Sequence, residues 1–234
     1  NEAENLPILV GEIKEALVPL AGGFEAIIVD DGSTDSTREV LLDIAAHEAF
    51  VRPIFFESNF GQTSAFDAGI KAARGETIVL IDADLQNDPC DIPRLLAELE
   101  ACDAVVGWRA DRKDPFTKKL TSHIANFVRR AATGDPSHDT GCSLKAFRAD
   151  MLKRVKLFNG MHRFLSTLVA IEGGRVIEVK VSHRPRRFGK SKYSIFNRCL
   201  RPTIDLLAVM WMKRRSLRYR IKKLGTGASD TRDA

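Results

Sequence analysis

Residues 78–89 read IVLIDADLQNDP, an apolar strand that ends in two carboxylates two positions apart. Side chains at i and i+2 share one face of a strand, so Asp82 and Asp84 leave the strand end in the same direction, with Gln86 close behind. No Lys or Arg lies within the stretch to neutralise them. Oxygen ligands grouped in this way favour a hard divalent cation that is shared with substrate phosphates.

A second apolar strand, residues 26–29, runs into the acidic stretch DDGSTD at residues 30–35. Open α/β sheets bind ligands at the carboxyl ends of their strands, so both acidic groups are predicted to face one crevice. Helix capping is the alternative role for Asp30, Asp31 and Asp35.

Strand and helix patterns alternate along the chain. Apolar runs predict strands at 24–29, 52–56, 78–81, 104–108 and 176–181. Helical spacing predicts helices at 2–20, 37–46, 63–74, 89–100, 115–132, 150–155 and 163–172. This alternation predicts an α/β fold with a mostly parallel sheet flanked by helices.

Charge is unevenly distributed along the 234 residues. The stretch from Arg184 to Lys223 holds fourteen Lys or Arg and one acid, a formal charge of +13, which leaves −8 for the rest of a chain whose total is +5. In the most basic segment, 184–193, Phe188 and Tyr193 are the only interleaved aromatic residues, and no nucleic-acid-binding motif accompanies them, so nucleic acid is not an expected partner. An acidic catalytic body with a basic C-terminal helical extension is predicted.

Cysteine spacing and hydropathy indicate in which cellular compartment the protein is expected. The four cysteines are widely spaced without a C-x-x-C pair, which fits a reducing cytosol. The apolar stretch 203–212 is far shorter than the roughly twenty residues that a membrane-spanning helix needs. The protein is therefore expected in the cytoplasm.

Six motifs together carry a resemblance to a known family. They are Asn1-Glu2, VDDGSTD at 29–35, DADLQ-x-x-P at 82–89, Gly107-x-Arg109, DTGC at 139–142 and R-x-G-x-S-K-Y at 187–193. The sequence resembles family 2 glycosyltransferases with the GT-A (Rossmann-like) fold, in the branch of dolichol-phosphate mannose synthases and bacterial polyprenyl-phosphate glycosyltransferases. In that family Asn1-Glu2 ends a P-x-Y-N-E element, so the resemblance implies that the first strand is missing from this chain.

The resemblance implies an inverting, metal-dependent hexosyltransferase. It would move a mannose- or glucose-like sugar from a nucleoside diphosphate sugar to a polyprenyl or dolichyl phosphate. Mg²⁺ or Mn²⁺, held by Asp82, Asp84 and Gln86, would neutralise the departing diphosphate.

Further site residues follow from the matching motifs. The donor nucleotide is expected to contact Glu2, Asp30, Asp31, Ser33 and Asp82. The acceptor phosphate is expected to contact Arg109, Arg112, Arg187, Lys190 and Lys192, because the Arg fork matches phosphate oxygens. Asp84, Asp139 and Arg109 are the expected catalytic residues.

The acceptor phosphate is already ionised at neutral pH, so little general-base help is needed and orientation should dominate. Asp139 is accordingly a candidate acceptor-side or sugar-binding carboxylate. For His162, a structural role is favoured over substrate contact.

The predicted domains are a GT-A domain at 1–194, a basic amphipathic helical extension at 195–225 and a disordered tail at 226–234. Apolar anchors among basic residues favour a helix on the cytoplasmic face of a membrane, as a peripheral contact. Packing on the protein's own domain or in a homo-oligomer is the alternative.

Two other functions stay open: a family 2 transferase that acts on a glycan or another non-lipid acceptor, and a non-catalytic nucleotide-sugar-binding scaffold.

Overall fold

The computed structural model describes residues 1–20, 22–110, 130, 134, 137–188 and 200–217. The helices are α1 (Leu6–Leu17), α2 (Thr37–His47), α3 (Gln62–Ala72), α4 (Ile92–Leu99), α5 (Ala149–Leu152), α6 (Leu165–Ile171) and α7 (Leu200–Arg215). The strands are β1 (Ala26–Asp30), β2 (Val51–Phe55), β3 (Thr77–Leu80), β4 (Ala104–Trp108), β5 (Lys145–Arg148) and β6 (Val176–Lys180). Short 3₁₀ helices cover Pro89–Asp91 and Met161–Phe164.

The strands form two hydrogen-bonded groups. β1 pairs in parallel with β2, and the other four lie in the order β3, β5, β4, β6. β5 is antiparallel to both of its neighbours, whereas β4 and β6 are parallel. β3, β4 and β6 therefore run the same way, so that their carboxyl ends and the first residue of β5 lie at one edge of the sheet.

Alternation along the strands buries both faces of the larger sheet. Ala104 and Phe147 pack on one face with α6, whereas Val105 and Ala146 pack on the other face with α4. Helices α1 and α2 cover the β1–β2 pair through a separate cluster that includes Leu41. In a sheet that is buried on both faces the strand ends are the natural place for charged groups, and Asp82 and Asp84 follow the end of β3.

The structure confirms the predicted α/β class and most of its elements. The strand predicted at 104–108 has those bounds, and the helix predicted at 37–46 is extended by one residue. The antiparallel strand β5 was not predicted, and it is the exception to the parallel direction of the larger sheet. The predicted tail and all of the helix predicted at 115–132 except residue 130, which is helical, lie outside the described residues.

Helix α7, in the basic C-terminal stretch, packs against the 3₁₀ helix Met161–Phe164 and α6. Val209 is fully buried against Met161, Phe164 and Leu168. A side chain added at Gly160, which has a φ of 85°, would collide with the carboxylate of Asp205. No helix in the described part of the chain has the length and apolarity needed to cross a membrane.

Gly107 in β4 and Gly11 in α1 provide a matched test of how tightly β4 packs against residues 142–144. A Cβ at Gly107 would lie 2.8 Å from the Leu144 carbonyl and 2.9 Å from Sγ of Cys142, whereas a Cβ at Gly11 in α1 meets nothing within 4 Å. We expect Gly107→Ala to lower the free energy of unfolding by about 1–3 kcal/mol through overpacking. Gly11→Ala should raise it by up to about 1 kcal/mol, because Ala is the better helix former. Urea denaturation measures both, and equal effects would contradict the β4–β5 packing.

Candidate active site

Asp82 and Asp84 lie in the turn that follows β3. Asp82 accepts a hydrogen bond from Nε2 of Gln62 at 2.8 Å. Burial and the charge of Asp84 raise the pKa of Asp82 above its usual value. The next residue, Leu85, has a φ of 58° and is 1% exposed, so the turn has a strained backbone that its surroundings hold in place. The turn thus fixes two mutually repelling carboxylates, and a cation would relieve the repulsion.

Arg186 supplies a cation to one of these acids. Its Nη2 donates to Oδ2 of Asp84 at 2.6 Å, and its Nη1 lies 3.8 Å from Oε1 of Glu2. The backbone N–H of Gln86 donates to the other oxygen of Asp84 at 3.1 Å. Arg186 therefore links the start of the chain to the acidic turn. Its neighbour Arg187, which is predicted from the sequence to contact the acceptor phosphate, is exposed.

Arg184 anchors the segment that carries Arg186. Its Nη1 lies 2.8 Å from a carboxylate oxygen of Glu12, and its Nη2 pairs with Asp88. Its backbone N–H donates to the carbonyl of Gln86 at 2.9 Å. The chain after β6 is thus fixed across the acidic turn.

Arg109 and Asp139 form a two-point ion pair. Nε and Nη2 of Arg109 donate to the two oxygens of Asp139 at 2.7 and 3.0 Å. Both side chains are largely buried, and the N–H of Gly141 adds a 3.2 Å bond to Asp139. Two of the predicted catalytic residues therefore act as one neutralised unit.

Lys145 is a site residue that the sequence analysis missed. It is the first residue of β5, opposite Leu80 at the end of β3, which brings it beside the acidic turn. Its Nζ donates to the carbonyls of Thr140, at 3.3 Å, and of Cys142. Burial lowers the pKa of Lys145, although nearby negative charges, Asp82 among them, oppose that shift. In the sequence, the only indication of this role is that Lys145 is a single charged residue within an apolar run.

A cavity of about 220 Å³ opens beside Asp82. Its wall includes Gln62, Phe66, Asp82, Lys145, His162 and Arg163. The loop 140–143, which follows Asp139, closes another side. The end of β3, the start of β5 and the 3₁₀ helix Met161–Phe164 therefore meet at one concave site.

The other predicted donor residues lie around the end of β1. Oδ1 of Asp30 accepts from the N–H of Ser33 at 3.0 Å, whereas its buried Oδ2 has no hydrogen-bond partner among the described residues. The N–H of Glu2 donates to Oγ1 of Thr37 at 2.8 Å, which holds the first residues against this turn. An unpaired buried carboxylate oxygen is a place where a ligand donor would be stabilised.

Asp31 is engaged differently from Asp30. Its carboxylate accepts hydrogen bonds from the N–H groups of Phe60, at 2.7 Å, and Gly61, at 2.9 Å. Nδ2 of Asn59 donates to it at 2.8 Å. Asp31 thus secures the loop that begins α3, and Gln62, the next residue, contacts Asp82.

Three predicted acceptor residues, Arg112, Lys190 and Lys192, lie outside the described residues. Within the described ranges, no three His, Cys, Asp or Glu side chains converge to hold a metal by themselves. The metal site predicted from Asp82, Asp84 and Gln86 is therefore at most a partial ligand set, which substrate oxygens would have to complete.

His162 is held by a hydrogen bond inside the cavity wall. Its Nδ1 lies 2.7 Å from Oγ1 of Thr63, which also accepts from the N–H of Gly160 at 3.0 Å. Burial and nearby positive charge, from Arg163 first, lower the pKa of His162 to about 4. The imidazole is neutral at physiological pH.

Comparison with protein families gives a match over two thirds of the chain. A family model described as glycosyl transferase family 2 matches residues 1–156. The dodecaprenyl-phosphate galacturonate synthase of Rhizobium johnstonii is 44% identical over 220 residues, which are 92% of this chain and 65% of the relative. An undecaprenyl-phosphate 4-deoxy-4-formamido-L-arabinose transferase of Photorhabdus laumondii is 37% identical over 212 residues, covering 90% and 65%. The chain thus spans about 65% of the length of these relatives.

Solved structures share the fold. A mannosyltransferase of Pyrobaculum calidifontis in complex with GDP-Man and Mn²⁺ aligns with a TM-score of 0.58 at 21% identity, over 77% of this chain and 52% of that one. The glucosyl-3-phosphoglycerate synthase of Mycobacterium tuberculosis, in complex with Mn²⁺, UDP and its product, aligns with a TM-score of 0.62 at 16% identity, over 86% and 74%. These GT-A neighbours confirm the predicted fold class.

The buried neutral His162 predicts a pH-dependent stability. Its pKa is about 4 in the folded chain, whereas a His in an unfolded chain titrates near 6.5. Between these values the unfolded state binds more protons, so the free energy of unfolding should rise with pH from about 4 to about 6.5. Urea denaturation at several pH values should give a shallower rise for His162→Gln than for the wild type. The exposed His47→Gln serves as control, and identical slopes for all three proteins would contradict the burial of a neutral imidazole.

Proposed function

This chain belongs to glycosyl transferase family 2, and we propose that it transfers a sugar from a nucleoside diphosphate sugar to a polyprenyl phosphate with inversion of the anomeric carbon. The observation that carries the proposal is that Asp82 of the acidic turn and the loop 140–143 line one cavity, and that the Arg109–Asp139 pair holds that loop through the N–H of Gly141. The names of the two relatives above describe polyprenyl-phosphate sugar transfer by those proteins, which supports a lipid acceptor here.

The donor diphosphate would lie at the acidic turn with Mg²⁺ or Mn²⁺. Asp82, Asp84 and Gln86 would hold the cation, which neutralises charge on the departing diphosphate when bound. Two observations fit a bound cation: burial and the charge of Asp84 raise the pKa of Asp82, and Asp84 already has a cationic partner in Arg186. Mg²⁺ commonly takes one or two protein carboxylates and completes its shell with phosphates and water, which matches so small a ligand set.

The nucleotide would lie between the first residues and the end of β1, against Glu2, Asp30 and Ser33. The unpaired Oδ2 of Asp30 offers an acceptor for an N–H or O–H of the nucleotide. Asp31 would act through the loop that it secures and through Gln62, which contacts Asp82. Arg186, between Glu2 and Asp84, lies where it can also meet the diphosphate.

The acceptor phosphate would be oriented by Arg109. The pair with Asp139 uses Nε and one side of Nη2, so the remaining N–H donors of the guanidinium can bind phosphate oxygens. Asp139 would fix the plane of the guanidinium rather than remove a proton, because the attacking phosphate oxygen is already ionised. Arg112, Arg187, Lys190 and Lys192, predicted from the sequence, would add positive charge for binding of the acceptor phosphate.

Helix α7 would contact the membrane that holds the lipid. Ile204, Leu207 and Trp211 are 56%, 59% and 64% exposed, and their spacing places them on one helical face. Three basic residues, Lys213, Arg214 and Arg215, follow at the end of the helix. An apolar stripe beside basic residues favours an anionic lipid surface, which we place at the cytoplasmic face of a membrane.

Transfer to extractable lipid tests the function. The chain is incubated with Mn²⁺, radiolabelled nucleotide sugars and undecaprenyl phosphate, and label is counted in the organic and aqueous phases. We expect label in the lipid phase, and a loss of at least about 100-fold for Asp84→Asn, because a charge-stabilising group is removed. The exposed Asp43→Asn should leave transfer unchanged.

The same assay separates the other two functions. Label in an added oligosaccharide rather than in lipid would identify a glycan acceptor. Tight binding of nucleotide sugar without transfer to any acceptor would identify a binding scaffold. Either result contradicts the proposal.

Membrane contact is tested by flotation with vesicles that contain anionic phosphatidylglycerol. Trp211→Glu should reduce vesicle binding severalfold, because it removes an apolar anchor and adds a repelled charge. Leu42→Glu, at an exposed apolar position on α2, is the matched control and should bind as the wild type does. Equal loss for both variants, or none for Trp211→Glu, would contradict the assignment of α7.

A further inference from the structure

The cavity beside Asp82 has the size of a single sugar ring. Its volume of about 220 Å³ is below the range of about 300–1,000 Å³ that is usual for drug-sized ligands. Phe66, Leu80 and Leu165 supply apolar surface, and Gln62 and Ser143 supply polar groups. Since Asp82 borders both the proposed diphosphate site and this cavity, the sugar of a bound donor would enter it.

Lys145 is an unusually placed cation within this wall. It is 4% exposed, and its hydrogen bonds in the described structure go to two backbone carbonyls rather than to a carboxylate. Those two bonds leave one N–H of the ammonium group for a further acceptor. The charges of Asp139 and Asp82 act on Lys145, but the hydrogen bonds of its Nζ among the described residues go to carbonyls and not to either carboxylate. A buried charge is stabilised best by a hydrogen-bonded partner of opposite charge, and such a partner can reach Lys145 from the cavity.

His162 and Arg163 line the same cavity and add donors. The Gly160 N–H donates to Oγ1 of Thr63, so the Thr63 hydroxyl can donate to Nδ1 of His162. The neutral imidazole then carries its proton on Nε2, as a donor. Arg163 has only donors, as does Lys145.

In the proposed donor complex, the acidic residue of the cavity wall would bind the metal ion. Asp82 is the only acid among the described lining residues, and the metal ion would neutralise its charge. The wall that remains for the sugar is cationic and rich in donors. Such a wall complements a group that carries negative charge and several acceptor lone pairs.

We propose that this cavity selects a donor whose sugar carries a carboxylate, a uronic acid, and that Lys145 with Arg163 determines this specificity. The inference rests on the proposed function, since it concerns the sugar of the nucleotide donor. A carboxylate would accept the remaining N–H of Lys145 and form an ion pair with it. A neutral hydroxymethyl group would leave that N–H of the buried ammonium without an ion-pair partner, and sites built around a specific polar partner discriminate strongly against analogues that lack it.

Matched donor pairs test the inference by calorimetric binding with Mn²⁺. The probes are UDP-galacturonate against UDP-galactose and GDP-mannuronate against GDP-mannose, and the members of each pair differ only in the carboxylate. The wild type should bind the acidic member of the accepted pair at least about 10-fold more tightly. Lys145→Met should bring that ratio close to one by weakening the acidic member alone. The exposed Lys71→Met should keep the wild-type ratio.

A second variant covers the case in which Lys145→Met does not fold. Arg163→Gln leaves the carbonyl contacts of Lys145 intact and should lower the ratio severalfold. Equal binding of acidic and neutral donors by the wild type, or an unchanged ratio in both cavity variants, would overturn the uronic acid assignment while leaving the transferase proposal standing. Failure of all four donors to bind would overturn the proposed function as well.

Discussion

The site depends on the burial of three carboxylates at one edge of a sheet, and on the cations that make this tolerable. Asp139 is paired with Arg109, and Asp84 with Arg186. Removing carboxylates from water is costly unless each is paired and hydrogen-bonded. Asp82 has a hydrogen bond from Gln62 but no ion pair among the described residues, and its pKa is raised. Asp82, which has no ion pair among the described residues, is therefore the position where a bound metal ion would stabilise the site most.

The reversed strand β5 makes this arrangement possible. Three strands of the larger sheet deliver their carboxyl ends to one edge, and β5 brings its amino end there from the opposite direction. The ends of β3 and β4 carry Asp82 and Arg109, and the start of β5 carries Lys145 just after the loop of Asp139. The chain after β6 then returns across the acidic turn through Arg184 and Arg186. Acids and bases that are distant in sequence thus meet at the same end of the sheet.

The sequence predicts those parts of the site that follow from short-range patterns. An apolar run that ends at Asp82 and Asp84 reads as a strand with its acids at one end, and alternating elements indicate the α/β class. β5 was missed because it has four residues, is buried on both faces and begins with a charge, so it lacks the period-2 alternation of a half-buried strand. Which of two adjacent arginines, Arg186 or Arg187, reaches Asp84 depends on the path of the return segment, which spacing does not encode. Asp30 and Asp31 likewise have different hydrogen-bond partners because the loop at Phe60 and Gly61 lies against Asp31, and sequence spacing does not show where that loop lies.

The most direct measurement is Mn²⁺ binding in the presence of UDP or GDP, followed by electron paramagnetic resonance. The account predicts one bound Mn²⁺ per chain for the wild type, and loss of that binding when Asp82 and Asp84 are both changed to Asn, with the thermal unfolding transition retained. Undiminished Mn²⁺ binding by the doubly substituted chain would contradict the claim that the acidic turn holds the cation at the departing diphosphate.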